Sequence, residues 1–167
     1  IKVSNGLNAY VYNTRNWRGY PSTPLRDKPV RIKNLRHWWG SGKVFGIKRD
    51  RIYVAIKGYI KYPPGKSTVR YRLGSDDGSS LYVNGKNIIY NWGLHGFRWR
   101  YSGTQTINST ADQLSLYMFE HGGHANLVLQ WSLDGSSWAD IPDDAFVSSE
   151  INKQETGLDI SHYIMYG

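Results

Sequence analysis

Apolar and polar residues alternate with a period of two along most of this chain, as they do on half-buried strands. Residues 6–13 (GLNAYVYN) read as an edge strand, and residues 52–61 (IYVAIKGYIK) as a strong strand ended by the Pro63-Pro64-Gly65 turn. Residues 68–73 alternate cleanly. Residues 81–83 and 87–90 flank Asn84-Gly85, the favoured pair for a type I′ hairpin, because both central residues need positive φ. Residues 103–107, 114–119, 127–131 and 138–141 complete the set, with a second hairpin turn at Asp134-Gly135. Residues 14–50 are rich in Arg, Pro, Gly and Trp, and predict an irregular segment with one or two short strands. No ten-residue stretch keeps a period of 3.6. The predicted fold class is all-β, an antiparallel sandwich or open barrel.

Composition agrees with that class. The chain has 167 residues, about one domain on the usual prior. Seven Trp, 13 Tyr, 4 Phe and 18 Gly suit short strands, turns and a thin aromatic core, in which Trp131 and Trp138 are expected. Cysteine is absent, which excludes disulfides, thiolate metal sites and a cysteine nucleophile. No apolar run approaches the roughly 18–20 residues of a membrane helix. The first residue is Ile1, so the chain is expected to be processed or cut from something longer.

Charge is strongly asymmetric. Of the 21 Lys and Arg, 17 fall at or before Arg72 with only Asp27 and Asp50 to oppose them, so this part carries +15 and the remainder −7. Either the fold segregates the two signs, or the basic half meets an acidic partner. Nucleic acid is disfavoured as that partner, because the cations are scattered and no nucleic-acid motif accompanies them.

The candidate chemistry lies in Ser75-Asp76-Asp77-Gly78. Neighbours on a strand point to opposite faces, so two adjacent carboxylates grip one object only across a sharp turn or a cis peptide. Read alone, the stretch is either a polar turn or a paired-carboxylate site for a hard cation such as Ca²⁺. A glycosidase pair needs its carboxyls roughly 5–9.5 Å apart, too far for adjacent residues aimed at one ion. Neither GxSxG nor HExxH is present, so an enzyme is not expected.

Six motifs then occur in order: Gly6-Leu7; Gly58-Tyr59-Ile60; Ser75-Asp76-Asp77-Gly78; Leu81-Tyr82-Val83-Asn84-Gly85-Lys86; Asn91-Trp92-Gly93 with His95; and Glu120-His121-Gly122-Gly123. With Leu129-Gln130-Trp131 and Ile141-Pro142 behind them, they resemble the PA14 domain family over about residues 6–146. The resemblance implies a PA14-like β-sandwich at residues 1–146, with residues 147–167 as a linker or covering tail. It implies a non-catalytic, lectin-like module of a secreted or cell-surface adhesin, in which Ca²⁺ held by the Asp pair binds vicinal hydroxyls of a glycan. Its implied metal ligands are Asp76 and Asp77, completed by the loop of His121, Gly122, Gly123, His124 and Asn126. The loop departs from the family's usual Asn, Gln or Asp donors. His121 and His124 leave open a transition-metal site, for which imidazole and carboxylate are normal ligands. Trp92, His95, Phe97, Trp99 and His124 are candidates, beside the Asp pair, for the glycan itself; for Trp92 core packing is the preferred alternative, and Phe97 and Trp99 are expected on a loop. Trp38 and Trp39 match no motif. A second reading is a structural module of a fibre, sheath or virion that docks its basic half on an acidic neighbour.

Overall fold

The computed structural model describes residues 4–148 and shows fourteen strands, one 3₁₀ turn at Asp143–Ala145 and, among the described residues, no α-helix. In chain order the strands are β1 (Leu7–Thr14), β2 (Pro21–Pro24), β3 (Val30–Ile32), β4 (Arg36–Gly40), β5 (Ile52–Lys61), β6 (Thr68–Asp76) and β7 (Ser79–Val83). There follow β8 (Lys86–Asn91), β9 (Arg98–Tyr101), β10 (Gln105–Thr106), β11 (Ala111–Glu120), β12 (Ala125–Ser132), β13 (Ala139–Asp140) and β14 (Phe146–Val147). Two antiparallel sheets result. The first runs β2-β1-β5-β11-β7-β8, with β3 also on β1 and β14 also on β5. The second runs β10-β6-β12-β13, with β9 on β6 and β4 on β12.

The period of two explains the core. Ile52, Val54, Ile56 and Ile60 of β5 and Leu114, Leu116 and Met118 of β11 face inward from the first sheet, where all are fully buried. Tyr71, Leu73, Leu127, Leu129 and Trp131 meet them from the second. One polar exception is a buried chain in which Tyr71 Oη donates to Tyr62 Oη (2.6 Å), Tyr62 Oη donates to Asp112 (2.8 Å) and Asn84 Nδ2 donates to Asp112 (2.9 Å). Asn84 and Gly85 take φ of 51° and 80°, as the predicted type I′ turn requires.

Several expectations need correcting. β1 is not an edge strand, because β2 and β3 pair along its far side. Residues 14–50 hold three short strands rather than one or two. Only Gln105–Thr106 of residues 103–107 is strand, and Trp99 sits on β9 rather than in a loop. Trp138 is not core: it is half-buried on the outer face of the second sheet, its ring 5.0 Å from the Arg72 guanidinium and 5.6 Å from Tyr101.

The two ends of the described chain meet. Gly6 donates its N–H to the Phe146 carbonyl (2.8 Å), and Ser148 to that of Ser4 (2.9 Å). Of the predicted tail, Val147 pairs with Tyr59 on β5, and residues 149–167 lie outside the described residues.

Candidate functional site

The site sits at the opposite end of β5, around Ile52, where β6 turns into β7 and β11 ends. The Asp76–Asp77 peptide is cis. The carboxylates of Asp76, Asp77 and Glu120 all lie within 4.8 Å of one another, the only such group of acidic, His or Cys side chains among the described residues. Asp76 and Asp77 come from one sheet and its turn, while Glu120 is the last residue of β11 in the other. Glu120 was not a predicted ligand. It follows Met118 by two residues, so it keeps the inward parity of Leu116 and Met118, and it is fully buried.

Local bonding fixes the turn. Ser75 Oγ donates to the Asp77 carbonyl (2.8 Å) and meets Ser79 Oγ (2.6 Å). The backbone N–H of His121 donates to Asp77 Oδ2 (2.8 Å), and that of His95 to Asp77 Oδ1 (3.3 Å). Gly78 has no room for a side chain: a Cβ there would lie 2.6 Å from the Phe119 ring and 2.7 Å from the Gly93 nitrogen.

The electrostatics are those of a cluster lacking a counter-charge. Both carboxylate oxygens of Glu120 are buried without a hydrogen-bond partner, as is Asn126 Oδ1. Burial, reinforced by the charge of Asp77, pushes the Glu120 carboxyl from 4.5 up to about 9. Burial and Asp77 also raise Asp76, against a downward pull from His95 and His124. Buried polar atoms are normally partnered, so three orphaned oxygens beside two more carboxylates fit a hard cation. An all-oxygen donor set suits Ca²⁺.

The predicted residues divide. Asn126 stands opposite Asp76 on paired strands, and Trp38 opposite Asn126. Directly opposed residues share a face, so Asp76, Asn126 and Trp38 form one row on the outer side of the second sheet. The Phe97 ring lies 4.8 Å from that of Trp38, and a Cβ on Gly74 would meet it at 2.4 Å. Trp38 is 61% exposed, and nothing in the local sequence marks it; its place depends on the distant pairing of β4 with β12. Trp99 packs on Phe97 and on Arg72, its ring centre 4.3 Å from the guanidinium. Gly122, Gly123 and His124 are exposed in the turn after β11. His121 turns its Nδ1 into a buried position without a partner, and the His95 ring is held between the Asn91 and Gly96 carbonyls, each at 2.8 Å. Trp92 belongs elsewhere. Its Nε1 donates to the Arg18 carbonyl (2.8 Å), and its ring packs on Phe119 and Tyr53, at the outer face of the first sheet.

Comparison with known proteins gives the architecture a family. The chain superposes with a TM-score of 0.68 on a PA14 sugar-binding domain from an RTX adhesin, at 15% identity, over 87% of this chain and 99% of that one. An epithelial adhesin 6 A domain from Candida glabrata, in complex with Galβ1-3GlcNAc, matches at 0.63 with 13% identity over 92% and 91%. An anti-sigma factor domain-containing protein from Clostridium clariflavum matches at 0.74 with 17% identity over 87% of this chain, which spans about half (48%) of that protein's length. No curated protein matches the sequence significantly. The model of the PA14 domain matches residues 3–141, and with the two-sheet fold in place the chain belongs to the PA14 domain family.

Proposed function

We propose that this chain is a non-catalytic carbohydrate-binding module, of a secreted or cell-surface protein, that takes sugar hydroxyls at a Ca²⁺ site made by Asp76, Asp77, Glu120 and Asn126. The observation that carries the reading is the buried Glu120 carboxylate, unpartnered at both oxygens and within 4.8 Å of two more carboxylates. Ca²⁺ bound there offsets the repulsion among the three and offers open coordination positions to a vicinal diol. The close cluster contains oxygen ligands and no imidazole, which favours Ca²⁺ over Zn²⁺. Beside it, Trp38 and Phe97 present an aromatic plate of the kind that covers the C–H face of a sugar ring. Likeness to a sugar-binding adhesin domain and to a glycan-bound epithelial adhesin supports the same reading. Single-site affinity is expected near mM, about −4 kcal/mol, so avidity would come from many copies.

Thermal melts with Ca²⁺, Zn²⁺ and EDTA, followed by a glycan array, test it. The Asp76→Asn/Asp77→Asn variant should lose both the Ca²⁺-dependent rise in Tm and sugar binding. Sugar binding left intact in that variant refutes the mechanism.

A docking role for the basic half is the second reading. It is favoured by there being a single ion pair among the described residues, Arg36–Asp143 at 3.2 Å, which leaves most of those cations without an internal counter-charge. Assembly of that kind weakens with salt, whereas the metal site responds to EDTA.

A further inference from the structure

The outer face of the first sheet carries a second constellation, remote in chemistry from the carboxylates. Register places Tyr10, Ala55, Tyr117, Ser80 and Tyr90 in one row across five strands. Tyrosines alternate with small residues, so the rings stand about 10 Å apart at the backbone, two strand spacings, which is the span of a disaccharide. The neighbouring row holds Asn8, Lys57, Ser115 and Tyr82. Tyr20, Tyr53, Tyr82, Tyr90, Trp92 and Tyr117 wall a cleft of about 600 Å³ over this face. Tyr90 is 65% exposed and Tyr20 48%.

The charge of this face is one-sided. Lys57 donates to Ser115 Oγ (3.3 Å) and to Tyr117 Oη, with its Nζ 4.5 Å from the Tyr117 ring centre. At the rim, the Arg15 guanidinium reaches the carbonyl of Pro21, a lining residue (3.4 Å), whereas the Arg18 guanidinium lies over the Trp17 ring, 5.1 Å from its centre, outside the cleft. Among the described residues the cleft wall itself carries no charged side chain of either sign, so the cations lie at its margin, Lys57 against Tyr117 and Arg15 against Pro21. The backbone groups beneath are committed to the sheet ladder, so an extended peptide finds no main-chain partners there. Ring faces edged with hydroxyls match the amphipathic sugar ring instead.

We infer that this tyrosine cleft is a second, metal-independent binding site for an oligosaccharide bearing carboxylate or sulfate groups, stacked on Tyr117 and Tyr90 and countered by Lys57 and Arg15. It stands whether or not the carboxylate cluster binds Ca²⁺, so the experiment is done in EDTA.

Isothermal titration of the whole chain with a galacturonate hexamer, a sulfated hexasaccharide and neutral cellohexaose reads the outcome. At least one anionic hexamer should bind, tighter than cellohexaose by about tenfold, with affinity falling several-fold as salt rises past the screening range of about 0.1 M. Tyr90→Ala and Tyr20→Ala, both exposed and clear of the core, should each weaken it by about three- to tenfold. Absence of binding by either anionic hexamer, equal binding of cellohexaose, or affinity unchanged in both Tyr variants overturns the inference. So does capture by the cleft of a decaproline peptide in place of every saccharide.

Discussion

Replacing Glu120 with Gln should make the metal-free protein more stable and the metal-loaded protein less so. The buried carboxyl is pushed from 4.5 to about 9, so between those values the folded chain holds a proton that the unfolded chain has released. The stability associated with that proton is full below 4.5, declines as pH rises and is lost above about 9. At pH 7 the interval from 4.5 corresponds to about 3 kcal/mol, at 1.36 kcal/mol per unit. Gln does not titrate, so the variant lacks this slope. Its unpartnered amide costs about 1–3 kcal/mol, which leaves a net gain of up to about 2 kcal/mol at pH 7 and more at pH 8. If the cluster binds Ca²⁺ as proposed, calcium reverses the order: at a hundredfold excess over Kd a native-state ligand stabilises a protein by about 2.7 kcal/mol, and the variant would have lost one of the proposed ligands. Denaturant unfolding of both proteins at pH 5 and pH 8, in EDTA and in Ca²⁺, measures all four cases. Identical pH slopes for the two proteins in EDTA would falsify the placement of Glu120 as a buried carboxyl that lacks a partner.

Two further substitutions separate fold from recognition. Gly78→Ala places a Cβ 2.6 Å from the Phe119 ring and 2.7 Å from the Gly93 nitrogen; overpacking of that kind should cost about 1–3 kcal/mol in chemical denaturation and weaken Ca²⁺ binding by shifting Asp77. Trp38→Ala, at a site 61% exposed, should leave Tm and the Ca²⁺ response unchanged while glycan affinity falls by about 0.5–1.5 kcal/mol, read on the same array.

What could be read from the sequence was what is local. The Asn84-Gly85 turn, the long strands of the core and the Asp76-Asp77 pair each declare themselves within a few residues. Glu120 was legible in principle: once β11 is recognised and Met118 faces inward, parity sends Glu120 the same way. What the sequence conceals is whether an inward carboxylate at a strand end finds a partner, since Asp76 and Asp77 arrive from the other sheet. Trp38 was hidden for a stronger reason. β4 lies some ninety positions before the strand it joins, in a stretch whose Arg, Pro and Gly obscure any alternation. Trp92, itself a predicted glycan contact, is instead held at the outer face of the first sheet by its bond to the Arg18 carbonyl and its packing on Phe119 and Tyr53, a direction set only by tertiary packing.

The meeting of Ser4 with Ser148 at one end of β5, and of the three carboxylates at the other, gives the domain two poles. Ile52 and Tyr59 stand seven residue steps apart on β5, about 24 Å at ~3.4 Å per step. Tension applied through the two ends therefore enters at one pole, where the Asn5–Val147 bridge and its neighbouring bonds are peeled one at a time rather than sheared together. The carboxylate cluster at the far pole, and any ligand held there as proposed, would be spared the first of that damage.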